Sequence, residues 1–140
     1  MSPNRDKSLR RSGVVLAAAA AVLLSCASSS EARRPTARVG QIQKGSASYY
    51  GAKFNGRRTS SGERYDPRKM TAAHKSLPLG TRIRVTRTSH GEDGPSVEVR
   101  VNDRCGCTHG RIVDLSLAAA KKLHMLQTGV VPVRLEVLGK

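Results

Sequence analysis

The second half of the sequence alternates apolar and polar residues at a period of two, and this pattern limits the folds open to the chain. Residues 82–86, 96–102 and 131–138 carry it, with valine as the commonest apolar residue. In a β-strand such alternation places every apolar side chain on one face. Residues 45–50 add a further short strand. Several short strands at regular spacing favour a closed barrel over an open sheet.

One helix is predicted between the last two strands. Ser116 is a suitable N-cap for a helix over residues 117–126, and Gly129 is a suitable stop. Leu117, Ala120 and Leu123 would form its apolar face. The fold class predicted from these patterns is therefore mainly β with one short helix.

Composition limits the core and the partners of the domain. The 140 residues include three tyrosines, one phenylalanine and no tryptophan, so the core must be aliphatic. Residues 45–140 hold 17 lysines and arginines against eight acids, a net charge of +9. A basic domain favours an anionic partner, either nucleic acid or a carboxylate-bearing cell-wall glycan. The shortage of aromatic residues for stacking argues against single-stranded nucleic acid, and no nucleic-acid partner is expected.

The N-terminus has the pattern of an export signal. Basic residues precede an apolar run over residues 13–24, which is shorter than the ~20 residues of a membrane-spanning helix. The run ends in Leu-Leu-Ser-Cys26, which resembles the lipobox of bacterial lipoproteins. We therefore expect residues 1–26 to be a lipoprotein signal peptide. The alternative is an ordinary signal peptide cut near Ala27.

The segment that follows Cys26 is small, polar and without apolar periodicity. We expect residues 27–44 to be a flexible tether and residues 45–140 to be the folded domain. With lipid on Cys26, the protein would be exported and anchored to a membrane of the bacterial envelope, facing the periplasm.

Two polar regions carry the residues most suited to chemistry, and each places acids in loops at strand ends. The first covers residues 59–74 and the second covers residues 99–116. Their motifs, with those nearby, resemble the rare lipoprotein A (RlpA) family of double-psi β-barrel proteins. The similar segments are GSASYYG at 45–51, GRRTSSGE at 56–63, MTAAH at 70–74, LPLGT at 77–81, VNDR at 101–104 and GRIVDLS at 110–116.

The resemblance implies a six-stranded double-psi β-barrel with one short helix. It also implies the glycan strands of peptidoglycan as substrate, poor in stem peptides, and in active members an endolytic lytic transglycosylase activity. Such an enzyme leaves 1,6-anhydro-muramic acid ends and requires no cofactor or metal ion. Cell-division proteins are the partners that the family suggests.

By position, Asp103, Glu63, His74 and Asp66 match the functional residues of the family. Asp103 is the expected general acid, because a carboxylic acid with a raised pKa can protonate the leaving oxygen of a glycosidic bond. The alternatives are structural. Asp103 and Asp66 could cap turns, Glu63 could be a solvated charge, and His74 could be a buried histidine with its hydrogen bonds satisfied.

Candidate substrate-binding residues surround these positions. They are Tyr49, Tyr50, Thr59, Arg104 and Asp114. Because neighbouring residues of a strand face opposite ways, only one of the two tyrosines can stack on a sugar while the other faces the core. Asp114 leads into the helix, where a structural role is the alternative.

The pair Cys105 and Cys107 departs from the family pattern and is similar to expansin-like and barwin-like barrels. Many of those barrels bind glycan without cleaving it, so a non-catalytic glycan-binding lipoprotein is the alternative function. The two cysteines could form a disulfide across a small ring, remain free thiols, or bind a metal ion with His109. No metal site is expected, since a structural zinc site takes four ligands.

Overall fold

The computed structural model describes residues 36–140, so the predicted signal peptide, Cys26 and the first part of the predicted tether lie outside the described residues. Six strands and one short α-helix form the domain. They are β1 (Ile42–Tyr49), β2 (Thr71–His74), β3 (Arg82–Arg87), β4 (Ser96–Asp103), β5 (Arg111–Leu115), α1 (Leu117–Lys122) and β6 (Val131–Gly139), with a 3₁₀ turn at Ala52–Phe54 after β1.

The strands close into a barrel in the order β1-β5-β2-β4-β3-β6. The pairs β1/β5 and β2/β4 are parallel, and the other four pairs are antiparallel. The predicted six-stranded β-barrel with one short helix is confirmed. In the described part of the chain, no helix is long and apolar enough to cross a membrane.

The predicted alternation fills the barrel interior. On β4 the side chains of Val97, Val99 and Val101 are buried, while Ser96 and Glu98 are exposed. Four apolar side chains of β6 alternate in the same way. The core is aliphatic, as the composition requires, and Ile83, Leu135 and their neighbours are fully buried in it.

The domain begins earlier than the predicted boundary at residue 45. Strand β1 starts at Ile42, and residues 42–44 pair antiparallel with Glu136, Leu135 and Arg134 of β6. These three residues contribute little to the core, since Ile42 and Lys44 are exposed. Their pairing is provided by a strand about 90 residues away, and a stretch of three residues is too short to show an alternating pattern. The last three residues of the predicted tether are therefore strand.

Helix α1 begins as predicted and ends early. The Ser116 hydroxyl accepts a hydrogen bond from the Ala119 amide, as an N-cap does. The helix ends at Lys122 instead of near residue 126, because His124 takes a left-handed backbone conformation with φ of 51°. The Arg87 guanidinium binds the freed carbonyl oxygens of Leu123 and His124 at 3.2 and 2.6 Å.

The long connection from β1 to β2 positions the site. Residues 56–65 fold back on themselves as a small hairpin, in which the amide of Tyr65 donates to the carbonyl of Arg57 at 2.8 Å. The amide of Ser61 donates to the carbonyl of Asn102 at 3.0 Å. The hairpin is thereby fastened to the end of β4, where Asp103 lies.

Candidate active site

A groove with a volume of about 310 Å³ lies between this hairpin and the segment that follows β4. It is partly open to solvent. Its lining residues are Tyr50, Phe54, Arg57, Arg58, Thr59, Tyr65, Asp103, Arg104, Cys105, Gly106 and Asp114. Six of the residues predicted from sequence are therefore brought together here: Tyr50, Thr59, Asp103, Arg104, Cys105 and Asp114.

Asp103 is the carboxylate most firmly held in the groove. Its Oδ1 accepts hydrogen bonds from the Ser60 amide, the Ser60 hydroxyl and the Arg104 amide, each at 2.8 Å. Its Oδ2 accepts one hydrogen bond, from the Tyr50 hydroxyl at 2.8 Å. Because Oδ1 already has three donors, Oδ2 is the oxygen with capacity left for a substrate.

These donors set the protonation state of Asp103. Partial burial raises its pKa, but the hydrogen bonds from the Ser60 amide, the Tyr50 hydroxyl and the other two donors outweigh burial and hold the pKa below its usual value. The pKa of Tyr50 is raised, first by burial and then by its hydrogen bond to Asp103. The free site therefore contains an ionised Asp103 and a neutral Tyr50. The raised pKa expected of a general acid is not found in the free protein.

Ser60 reaches Asp103 because of the turn at residues 59–62. Thr59 is buried, and its hydroxyl donates to the Glu63 carbonyl at 2.9 Å. Gly62 permits the reversal of the chain with φ of 88°, a conformation that favours glycine. Thr59 thus lies in the groove wall and positions its neighbour Ser60, a residue that the sequence analysis did not single out.

Three aromatic side chains form one side of the groove. Tyr50 lies 4.6 Å from Tyr65 and 5.5 Å from Phe54 between ring centroids. The Arg57 guanidinium and the Lys53 ammonium lie 5.7 and 5.2 Å from the Phe54 ring centre. This surface offers both stacking faces and positive charge to a ligand.

Glu63 and Asp66 lie outside the groove, in a separate shallow depression that spans residues 63–69. Both carboxylate oxygens of Glu63 pair with the Arg100 guanidinium at 3.0 Å, and Oε2 also accepts a hydrogen bond from the side-chain amide of Asn102 at 3.1 Å. These hydrogen bonds lower the Glu63 pKa. Asp66 binds the Arg68 side chain and amide, which lowers the pKa of Asp66 to about 2. Asp66 thus fixes its own turn, and Glu63 is not a free solvated charge but links the hairpin to Arg100 and Asn102 of β4.

His74 also lies outside the groove and is only 2% exposed. Its Nδ1 accepts hydrogen bonds from the amides of Ser76 and Leu77 at 3.1 and 3.0 Å. The proton must then be on Nε2, which donates to Gln43 Oε1 at 3.1 Å. Burial and the nearby Arg104 lower the His74 pKa to about 4. His74 is thus a neutral histidine that fixes the turn after β2.

Of the remaining candidate residues, Arg104 and Asp114 line the groove, and Tyr49 packs against the core. Tyr49 faces away from the groove, packs against the core and donates its hydroxyl to the Leu126 carbonyl at 3.0 Å. Arg104 lines the groove, but its guanidinium donates to the carbonyls of Leu77 and His74 at 2.8 and 3.3 Å. Asp114 accepts from the Ser48 hydroxyl beneath the groove. Of the two tyrosines, Tyr50 lines the groove and Tyr49 does not.

Cys105 and Cys107 form a disulfide with 5.0 Å between their Cα atoms, and Cys105 lines the groove. Both sulfur atoms lie within 4.8 Å of a carboxylate oxygen of Asp114. This trio has the donor types of a zinc site. Joined sulfurs cannot act as thiolate ligands, however, so the disulfide form does not offer a metal site.

Four side chains of the groove lining were not singled out from sequence: Phe54, Arg57, Arg58 and Tyr65. Ser60, which binds Asp103 from beside the groove, was not singled out either. All five belong to the connection between β1 and β2. The turn signal at Asn55-Gly56 marked a reversal in this connection, but it could not show which strand end the reversal lies against.

Comparison with known proteins agrees with this architecture. A protein family described as lytic transglycolase matches residues 42–135. The chain is 56% identical over 99 residues, or 69% of its length, to a probable endolytic peptidoglycan transglycosylase RlpA of Nostoc. It is 50% identical over 99 residues, or 71% of its length, to the endolytic peptidoglycan transglycosylase RlpA of Vibrio cholerae. It covers only 26% and 36% of those two relatives.

Solved structures show a similar fold. The Streptomyces papain inhibitor is 26% identical with a TM-score of 0.54, and the match covers 71% of this chain and 96% of the inhibitor. An expansin of Clavibacter michiganensis is 26% identical with a TM-score of 0.52, and the match covers 69% of this chain and 50% of the expansin. Since the family match extends from β1 into β6 and includes the whole groove, the chain belongs to the RlpA family of double-psi β-barrel proteins.

Proposed function

We propose that this domain cleaves the glycan strands of peptidoglycan as an endolytic lytic transglycosylase. The proposal is supported by the relatives, which are named endolytic peptidoglycan transglycosylases. The observation that carries it in this chain is Asp103, whose Oδ2 faces an open groove beside an aromatic wall.

The reaction requires one group that can move a proton in both directions. The bond from C1 of muramic acid to the leaving oxygen breaks, and the 6-hydroxyl of the same sugar attacks C1. The leaving oxygen gains a proton and the 6-hydroxyl loses one, so no water enters and no net proton is consumed. A single carboxyl group can act first as acid and then as base. We assign this role to Asp103, because Asp114, the other carboxylate of the groove, is paired with the Ser48 hydroxyl.

Asp103 must first gain a proton, although hydrogen bonds hold its pKa low in the free protein. Substrate binding acts in the required direction. A bound glycan displaces water from the groove, and burial already raises the Asp103 pKa in the free site. The lactyl carboxylate of muramic acid adds a second negative charge nearby, which raises the pKa further. The substrate thus promotes the protonation that its own cleavage requires.

The cations of the groove suit the same substrate. Residues 50–69 contain six lysines and arginines against two acids, a net charge of +4. Arg57 and Arg58 lie on the groove itself. Glycan with few stem peptides exposes its lactyl carboxylates, and these would be attracted to the two arginines. The aromatic wall at Tyr50 and Phe54 would contact the sugar faces.

Asp103→Asn tests the catalytic assignment in the full chain. The amide keeps the shape of the side chain but has no proton to transfer, so turnover should fall by about 10²–10⁴-fold. The substrate is amidase-treated peptidoglycan, and mass spectrometry counts the 1,6-anhydro ends. Asp93→Asn, on the exposed loop between β3 and β4, is the matched control and should cut like the unaltered protein. Undiminished cleavage by Asp103→Asn would exclude Asp103 as the acid.

Glycan binding without cleavage is the second candidate function. The observation that favours it is the Cys105–Cys107 disulfide on the groove wall, together with the similarity to an expansin. A further similar structure is an expansin variant in complex with cellohexaose, 25% identical with a TM-score of 0.52 and covering 69% of this chain and 50% of that chain. If the unaltered protein retains peptidoglycan in a pull-down yet makes no anhydro ends, this second function replaces the first.

For location, we propose that the protein is exported and held at an envelope membrane by lipid on Cys26. The support is the Leu-Leu-Ser-Cys26 motif after a short apolar run. Such an anchor would keep the domain near newly made wall, where cell-division proteins are the proposed partners. Metabolic labelling with a fatty-acid analogue should mark the unaltered protein but not Cys26→Ala. Absence of label on the unaltered protein would refute the anchor.

A further inference from the structure

We propose that the Cys105–Cys107 disulfide is an exchange site for a dithiol, and that its reduction releases the groove wall beside Asp103 and weakens glycan retention. The first half of this proposal concerns the disulfide alone. The second half rests on the proposed function, because it takes the groove to be the glycan site. The expected partner is a protein or small molecule that carries two vicinal thiols.

The disulfide is next to the group that carries the proposed chemistry. Cys105 and Gly106 line the groove, and they follow directly after Arg104. The Arg104 amide is one of the donors that hold Asp103 Oδ1, at 2.8 Å. A change in the backbone path at Cys105 therefore acts on a residue that touches Asp103.

Little besides the disulfide restrains this stretch of wall. Residues 104–108 form neither helix nor strand. Among the described residues, no hydrogen bond involves residues 105–107; the nearest ones are made by Arg104 before them and by Thr108 and Gly110 after them. The closed ring is thus what gives the wall its shape between two anchored ends.

The two sulfurs differ in access. Cys105 is half-buried beside the exposed Gly106, whereas Cys107 is only 3% exposed. A Cβ added to Gly106 would meet no atom within 4 Å, so the space around the ring is open. An incoming thiolate can therefore approach Cys105 Sγ from the groove, while Cys107 Sγ is the leaving atom.

The fold does not depend on this bridge. A disulfide stabilises a protein chiefly by closing a loop in the unfolded chain, and this one closes a loop with a single intervening residue. Cys107 is buried but lies outside the aliphatic core cluster. Reduction should therefore open the wall locally without unfolding the barrel.

The exchange is balanced by the partner. A thiolate of the dithiol attacks Cys105 Sγ, the bond between the two sulfurs breaks, and its electron pair goes to Cys107 Sγ, which takes up a proton. The second thiol of the partner then displaces Cys105 Sγ, which is protonated in turn. The chain gains two electrons and two protons, and the dithiol becomes a disulfide.

The test uses the full chain with Cys26→Ala, so that every thiol counted belongs to the pair. Dithiothreitol is the dithiol probe. The oxidised and reduced proteins are compared by thiol titration, circular dichroism and retention on amidase-treated peptidoglycan. We expect two thiols to appear with no loss of folded signal. Retention should weaken by at least about tenfold, because binding must then fix at least one freed backbone residue.

Two further variants in the same background separate the redox effect from the effect of a local mutation. The double variant Cys105→Ser, Cys107→Ser should bind weakly whether or not dithiothreitol is present. Thr108→Ser lies next to Cys107 but outside the groove lining, and it keeps both cysteines and the hydroxyl beside His109, so it should bind tightly until it is reduced.

The outcomes distinguish this proposal from the proposed function. Thiols that appear only on denaturation would overturn the exchange site, and equal glycan retention by the oxidised and reduced proteins would overturn its control of the groove. If the oxidised protein itself retains no glycan, the proposed function fails, while the thiol titration still decides whether the exchange site exists.

Discussion

Removal of a single hydroxyl group next to Asp103 should change the pH range in which the protein works. Tyr50→Phe deletes the donor to Asp103 Oδ2, which lies 2.8 Å away, and keeps the ring that contacts Tyr65 and Phe54. A hydrogen bond to an ionised carboxylate lowers its pKa, so loss of this bond raises the pKa of Asp103. The other three donors, all on Oδ1, remain.

The size of the shift follows from the strength of the bond. A hydrogen bond to a charged group contributes ~1.5–3 kcal/mol, and one pKa unit corresponds to ~1.4 kcal/mol. Asp103 is partly open to solvent, and water can replace the lost hydroxyl. The lower end of the range therefore applies, and we expect the Asp103 pKa to rise by about one unit. The fraction of protein with a protonated Asp103 at neutral pH then increases about tenfold.

Two measurements check this. Carbon NMR of the Asp103 carboxyl group gives the pKa in the free protein directly. Initial rates at low substrate concentration, measured across pH, give the ionisations that control kcat/KM. If Asp103 is the proton donor, the alkaline limb of this profile should move up by about one pH unit. Tyr65→Phe is the matched control, since its hydroxyl contacts the Leu117 amide and not Asp103.

Either of two results would refute the reasoning. An unchanged carboxyl pKa in Tyr50→Phe would show that this hydrogen bond does not tune Asp103. A second refuting result would be a changed Asp103 pKa that moves only the acid limb of the kcat/KM profile and leaves the alkaline limb unchanged. It would show that Asp103 works only as a base. The proton donor would then have to be another group in the groove.

Two further predictions concern stability. Burial lowers the His74 pKa to about 4, so stability that is complete above about pH 6.5 should fall by ~2–3 kcal/mol as pH drops toward 4. Urea unfolding of His74→Gln should show a flatter dependence between pH 6.5 and 4.5, and an unchanged slope would contradict this. Leu135→Ala should cost ~2–5 kcal/mol, because Leu135 is fully buried in the core. The same measurement on Ile42→Ala, which is 51% exposed, should show less than ~0.5 kcal/mol.

The strands that sequence analysis located directly are those with one buried face. Strands β3, β4 and β6 alternate, and their patterns matched the structure. The pattern gave no signal for β2, because all four of its residues are buried and two of them are alanine. Strand β5 has only five residues, with too few alternations to be distinguished. These two strands were expected only through the resemblance to a family.

A site residue could be predicted from sequence when its side chain is of a type used in catalysis or binding and it lies at the end of a predicted strand. Asp103 and Tyr50 meet these conditions, and both lie in the groove. Ser60 does not, because its role depends on a carboxylate 43 residues away. His74 is the opposite case, because it was predicted as a site residue and lies outside the groove. Its ring is the type used in catalysis, but its partners are two amides of the following turn and Gln43, 31 residues earlier.

The order of strands around the barrel has a consequence for how the chain folds. The first strand, β1, pairs with β5 and β6, the last two strands of the chain, and β3 also requires β6 as a neighbour. Contacts between residues so far apart in sequence are formed slowly, because the chain loses loop-closure entropy before these contacts stabilise it. Closure of the barrel must therefore wait until Val131–Gly139 is available. A nascent chain that lacks this segment has no partner for one edge of β1 and one edge of β3, so it cannot close the barrel.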